Sequence, residues 1–206
     1  MPASLRGTMT VDLPEIARYL RVGRTQLSGA LAERVAHLRD ETLATLRPAH
    51  VWRRFPVQGG VIESGAHRMP IDGTLARHIA GCRAVYLACG TIGPAFDAFH
   101  RRISVKSGAD AFIVQAIGAA LVEKLMDSVE YGICAELEEG EAIVPRYSPG
   151  YGDFPLAAQR EMLALLDAPR KVGVSLTDTL LMVPSKSVTA VIGVKGMRAT
   201  VRTEPR

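Results

Sequence analysis

The sequence predicts an α+β fold with a mainly antiparallel sheet, and three observations lead there. Two long stretches, 27–46 and 110–137, carry apolar residues at helical spacing. Two pairs of short β-branched runs, 51–57 with 60–64 and 179–183 with 188–194, are separated by only a few turn-forming residues. Such close spacing suits hairpins, whereas parallel strands need a dozen or more residues to cross over. No G-x-G-x-x-G fingerprint follows a strand, which argues against a doubly wound parallel sheet.

Taken in order, residues 1–10 read as a loose leader. Leu13 to Leu20 can form a short helix, with Asp12 as cap and Pro14 in its first turn. After a glycine-containing break at Val22 to Thr25, Leu27, Leu31, Val35, Leu38 and Leu46 share one face of a helix that ends before Pro48. That leucine stripe is too short for a coiled-coil seam and reads as core. Val51 to Val57 and Gly60 to Ser64 read as strands joined through Gln58-Gly59, with Arg53 or Arg54 turned outward. Leu75 to Ala80 is a short helical segment, and Ala84 to Ala88 is apolar throughout, as a fully buried strand is. The loop Cys89-Gly90-Thr91-Ile92-Gly93 has two readings, a glycine loop facing a ligand or an ordinary strand-to-helix turn.

Pro94 to Ile103 suits a helix, and the longest helix follows, with Val114, Ile117, Leu121, Leu125, Val129 and Ile133 on one face. Gly118, Ala119 and Ala120 invite close packing at its middle. Glu123, Lys124 and Asp127 read as solvated surface, with Glu123 or Asp127 in a cleft as the second reading. Glu136 to Glu141 reads as an exposed acidic loop. Asp153 is placed to cap a helix over Pro155 to Leu166 whose Leu156, Met162, Leu163 and Leu166 point inward. Thr179 to Val183 and Val188 to Val194, joined by Pro184-Ser185-Lys186-Ser187, read as a hairpin, with Met197 to Thr203 as an added edge. The 206 residues read as one domain, a helical region over 1–48 and an α+β body over 49–206.

Composition narrows the function classes. Apolar residues make up 48% and charged ones 22%, which is a globular balance. The net charge of +4 is spread along the chain, so nucleic-acid binding is not expected, while a basic surface could favour an acidic protein partner. Cys82, Cys89 and Cys134 lack C-x-x-C spacing and read as reduced thiols of a cytoplasmic protein. The apolar run Ala111 to Val122 is too short to span a bilayer. His37, His50, His67, His78 and His100 form no metal pattern, and no P-loop, G-x-S-x-G elbow or cobalt-ligating D-x-H-x-x-G is present.

The most constrained stretch is Arg146-Tyr147-Ser148-Pro149-Gly150-Tyr151-Gly152-Asp153-Phe154-Pro155. Pro149 presets φ and Gly150 accepts a positive φ, the chemistry of a type II turn over Ser148 to Tyr151. One reading is a tight connection into the next helix. The other is a shallow recess in which Arg146 grips a carboxylate, Tyr147 or Tyr151 offers a ring face, and Gly150 and Gly152 expose main-chain donors.

These residues carry a family resemblance. Arg146, Gly150 and Tyr151 match an R-x-x-x-G-Y element, supported by Glu15 to Leu20, by Trp52-Arg53-Arg54-Phe55-Pro56, by Gly93 after the apolar strand, and by Met182 to Ala190. The chain resembles the activation domain of cobalamin-dependent methionine synthase in a free-standing version. The resemblance implies a C-shaped domain with a curved sheet that holds S-adenosylmethionine in a shallow groove, with Arg146, Ser148, Pro149, Gly150 and Tyr151 as the binding residues. Arg146 would pair with the methionine carboxylate, the backbone at Gly150 would bond the amino-acid or ribose part, Tyr151 would line the adenosine, and Ser148 and Pro149 would hold the turn.

It further implies a role in methionine biosynthesis as one component of a methyltransferase activity, without catalytic or metal-ligating residues of its own. The partners would be a corrinoid-binding methionine synthase lacking this domain, which carries the cobalamin, and a flavodoxin-like or other electron donor. The sequence departs from the large enzymes at Val191 and Ile192, where they carry aromatic residues, and in lacking an aspartate near the start of the domain. Those departures motivate an alternative, a non-catalytic module that senses S-adenosylmethionine or stabilises a corrinoid protein. A third reading, an independent methyltransferase, would use the loop from Cys89 to Gly93.

Overall fold

The computed structural model describes residues 9–22 and 27–196. The expected edge over Met197 to Thr203, most of the leader and most of the break after Val22 lie outside those residues. Among the described residues fifteen elements follow in order: α1 (Leu13–Leu20), α2 (Gly29–Thr45), β1 (Ala49–Pro56), β2 (Val61–Ser64), β3 (His67–Pro70), α3 (Gly73–His78), β4 (Ala84–Thr91), α4 (Pro94–Lys106), α5 (Gly108–Cys134), β5 (Glu141–Ile143), α6 (Ala158–Leu166), α7 (Ala168–Val172), β6 (Ser175–Leu176), β7 (Met182–Val183) and β8 (Ser187–Gly196).

The α+β expectation is borne out by an open antiparallel sheet in the order β1-β4-β8-β5, with helices on both faces. All eight residues of β4 are buried, and their alternation divides the core. Val85, Leu87 and Cys89 face Met162, Leu163 and Leu166 of α6, together with Phe154. Ala84, Tyr86 and Ala88 face Met126, Val129 and Ile133 of α5. A strand buried on both faces reads as apolar throughout, so the run over 84–88 was legible although its partners are antiparallel. The helices α1, α2 and α4 pack on α5 around Val35, Leu38, Phe96, Val114, Ile117 and Leu121. The expected close approach at Gly118 is present: a Cβ there would sit 2.6 Å from Cε2 of Phe96. Asp12 caps α1 as expected, its Oδ1 accepting from Glu15 N at 2.8 Å. The leader's end is not loose, because Met9 and Val11 are buried against this helical layer.

Several expectations are corrected. The run over 60–64 does not pair with β1. It pairs with β3, which the sequence reading missed, after positive φ values at Gly59 and Gly60 turn the chain away. Ile62 and Met69 of that ribbon are then buried on the α6 side. Nor is there a hairpin across Pro184 to Ser187. The strand β4 takes one edge of β8, and β5 with the chain as far as Tyr147 takes the other from Gly196 back to Val191, while Met182–Val183 pairs with Ser175–Leu176. Asp153 does not cap α6. It caps the neighbouring α3, accepting from Thr74 N at 2.6 Å beside Arg77. Leu156 faces outward. The acidic run is exposed at Glu136, Glu138 and Glu139 as expected, but it is tied down: Glu136 accepts from Trp52 Nε1 at 2.9 Å, and Glu141 holds Arg54 in a two-bond pair at 3.0 and 2.5 Å.

Candidate functional site

Beyond β5 the chain continues along β8 as an irregular edge. Val144 N donates to Gly193 O at 2.9 Å, and Tyr147 exchanges two backbone hydrogen bonds with Val191, at 2.9 and 2.8 Å. These bonds fix the backbone on both sides of Arg146 and turn its side chain toward α5. There Glu123, Asp127 and Glu130 occupy positions i, i+4 and i+7, one face of a helix. Arg146 Nη1 donates to Asp127 at 3.0 Å and to Glu130 at 2.7 Å, and Nη2 donates to Glu123 at 2.7 Å. Burial pulls the Arg146 pKa down, but the bonds from Glu130, Glu123 and Asp127 outweigh it and hold the group above its ordinary value. The cluster is left with two negative charges in excess.

The turn then reverses the chain. Gly150 has φ +95° and Tyr151 N donates to Ser148 O at 3.3 Å, the geometry expected of a type II turn. Gly150 N donates to Phe154 O at 2.8 Å, and Phe154 N to Tyr151 O at 3.0 Å. The loop is closed on itself, and its main-chain donors at Gly150 and Tyr151 are taken. Tyr147 supports it from beneath: its ring stacks on His78, centroids 4.8 Å apart, and its Oη donates to Tyr151 O at 3.0 Å. His78 Nε2 in turn donates to Pro145 O at 2.7 Å.

Between α5, this turn and the start of β8 lies an open recess of about 260 Å3, lined by Glu123, Arg146, Tyr147, Ser148, Tyr151 and Val188. The structure therefore brings Arg146, Ser148 and Tyr151 to one cavity. Pro149 is buried and Gly150 faces away from it, so both shape the turn without lining the recess. Three of the five N–H donors of Arg146 already hold α5 carboxylates, which leaves two. Glu123 and Asp127 belong to this cluster and not to plain solvated surface. Glu130 went unremarked in the sequence. The signal that could have found it is three acids at i, i+4 and i+7 on a helix whose other charged residues are Asp110 and Lys124. Val191 and Ile192 are fully buried on opposite faces of the sheet and offer nothing to the cavity.

The other candidate loop is closed. Residues 89–93 are all buried, Thr91 pairs with both Ala49 and Ser187, and a Cβ at Gly93 would lie 2.6 Å from Arg47 O. Burial pushes the Cys89 thiol up to about 12, so it is no nucleophile at neutral pH. Among the described residues, no helix is long and apolar enough to cross a membrane.

Comparison with known proteins agrees with the resemblance read from the sequence. The family described as vitamin B12 dependent methionine synthase, activation domain, matches residues 103–197, which span the acidic face of α5, the turn and β8. Among solved structures, the MetH reactivation domain bound to AdoHcy superposes with a TM-score of 0.58 at 16% identity, covering 92% of this chain and 71% of that one. The fold is that of the reactivation domain. No curated protein matches the chain.

Proposed function

We propose that the recess beside Arg146 binds S-adenosylmethionine and that the chain serves as a separate reactivation subunit. It would present this methyl donor to cobalamin carried by a corrinoid-binding methionine synthase that lacks such a domain, while a flavodoxin-like or other donor supplies one electron. S-adenosylmethionine supplies a methyl group on a positive sulfur, and its departure leaves neutral S-adenosylhomocysteine. The chain's own part is binding and orientation.

The observation that carries this reading is the excess negative charge around Arg146. A sulfonium and an ammonium group are drawn to Glu123, while the two remaining N–H donors of Arg146 meet the amino-acid carboxylate. Arg146 is then both a contact and the residue that positions Glu123. The Ser148 hydroxyl, which makes no hydrogen bond to a described residue, serves the ligand's polar edge. The recess holds the amino-acid end, and the exposed Tyr151 ring offers the adenine a face outside it. Pro149 and Gly150 hold the bend in shape.

Calorimetry at low ionic strength tests the charge argument. S-adenosylmethionine should bind about tenfold tighter than S-adenosylhomocysteine, roughly 1.4 kcal/mol, and the gap should narrow in high salt. Equal affinities at low salt would remove the basis of the assignment.

A second reading is motivated by Val191 and Ile192, whose burial leaves no aromatic wall from β8: a module that senses S-adenosylmethionine or stabilises a corrinoid protein. Mixing the chain with a corrinoid-loaded methionine synthase core, a reductant and labelled S-adenosylmethionine separates the two. Label appearing on cobalt supports the reactivation subunit, and binding without transfer leaves the module.

A further inference from the structure

A second, larger cavity lies between the N-terminal half of α4, the start of α6 and the β6–β7 hairpin, with a volume of about 610 Å3. Three features set it apart from ordinary surface. Leu156, Leu181 and Val183 expose 40%, 63% and 49% of their surface along its walls, an apolar concentration that water does not favour. Gln159 lines it while only 5% exposed, and its Oε1 is buried with no hydrogen-bond partner. A buried acceptor left unpaired is unfavourable unless something outside the chain supplies the donor. Arg101 stands at the rim with no ion pair or hydrogen bond to a described residue. The nearest acid on its helix face, Asp97, is held by the N–H of Ser185 at 3.1 Å and by the Ser185 hydroxyl.

The hairpin wall is fixed in advance of any ligand. Thr177 N donates to Leu181 O at 2.9 Å, Leu180 N to Thr177 O at 3.0 Å, and Leu181 N to Thr177 Oγ1 at 3.1 Å. These bonds hold Leu180 at φ +65°, a conformation that branched residues rarely keep.

We propose that this cavity is a second ligand site, distinct from the Arg146 recess, and that it takes an amphipathic carboxylate carrying an amide N–H. The apolar body lies on Leu156, Leu181 and Val183, the carboxylate meets Arg101, and the N–H donates to Gln159 Oε1 once that amide turns toward the cavity. Two sources share this chemistry, a free N-acyl amino acid and the C-terminus of a peptide with an apolar last residue.

NMR titration of the isotope-labelled chain distinguishes them, with N-acetyl-leucine, N-acetyl-leucinamide and an acetylated alanine-rich pentapeptide ending in free leucine as probes. Both carboxylates should shift the Leu156, Gln159 and Leu181 signals, and the carboxamide should bind about tenfold more weakly. Saturating S-adenosylmethionine should leave these shifts unchanged. Arg101→Gln should bring the acid down to the level of the amide, and Gln159→Leu should weaken both while the chain stays folded. A tighter pentapeptide assigns the site to peptide C-termini, and a tighter N-acetyl-leucine assigns it to a free acid. Absence of shifts at the cavity with either carboxylate, or acid-over-amide preference that survives Arg101→Gln, overturns the proposal.

Discussion

The two cavities flank the start of β8 yet are built by opposite means. The Arg146 recess is a charged site, its guanidinium and three carboxylates held between a helix and a strand edge. The larger cavity is apolar, with one unpaired amide and one unpaired cation. For the ligands proposed, affinity in the first should rest on charge and fall with salt, and in the second on buried apolar area, one hydrogen bond and the pairing with Arg101. Separate substitutions should therefore perturb the two cavities independently.

The largest expected effect comes from Arg146→Ala. It removes the carboxylate contact and the group that positions Glu123, so S-adenosylmethionine binding should fall by at least about 100-fold, and the three acids left facing one another should cost roughly 1–2 kcal/mol in denaturant unfolding for a part-exposed network. Shifts from N-acetyl-leucine at the apolar cavity should persist, and their loss would show that the two sites are one. Next in size, Glu123→Gln removes one carboxylate from the recess. The preference for the sulfonium over S-adenosylhomocysteine, measured by calorimetry, should shrink from about tenfold toward parity. Gln159→Leu sharpens the contrast from the other side: replacing an unpaired buried amide should raise stability by about 1 kcal/mol in urea without touching S-adenosylmethionine affinity.

The smallest effect is on pH. Arg54 holds the Glu141 carboxyl below its ordinary value, at the head of the edge that carries Arg146. A depressed folded-state pKa contributes stability that is present above the ordinary carboxylate range near 4.5 and lost as pH falls through the lower folded value. Acidification through that window should therefore lower the amide protection factor at Tyr147 before that at Leu181, and Glu141→Gln should abolish the difference.

What was legible in the sequence was local. The Asp12 cap, the α5 face, the buried run of β4 and the bend at Gly150 depend on residues a few positions apart, and each is where the pattern puts it. What was missed was a choice among partners. The alternation of 179–183 fits a strand, but it does not say which segment that strand pairs with, and Met182–Val183 pairs with Ser175–Leu176. In the recess, the turn could be read but the partner of Arg146 could not, because Glu123, Asp127 and Glu130 precede it by 16 to 23 positions. The same limit hid the cavity at Gln159, whose walls come from three separate segments.

The helix α5 holds the hydrophobic centre with one face and the Arg146 guanidinium with another, so the two are locked in phase. A single residue inserted between Gly118 and Leu121 would rotate everything after it by about 100°. The helix would persist as a spectroscopic signal, yet Leu125 and Glu123 would both be swung out of place together. A change in the length of α5 would thus disturb both centres at once, where a substitution disturbs one.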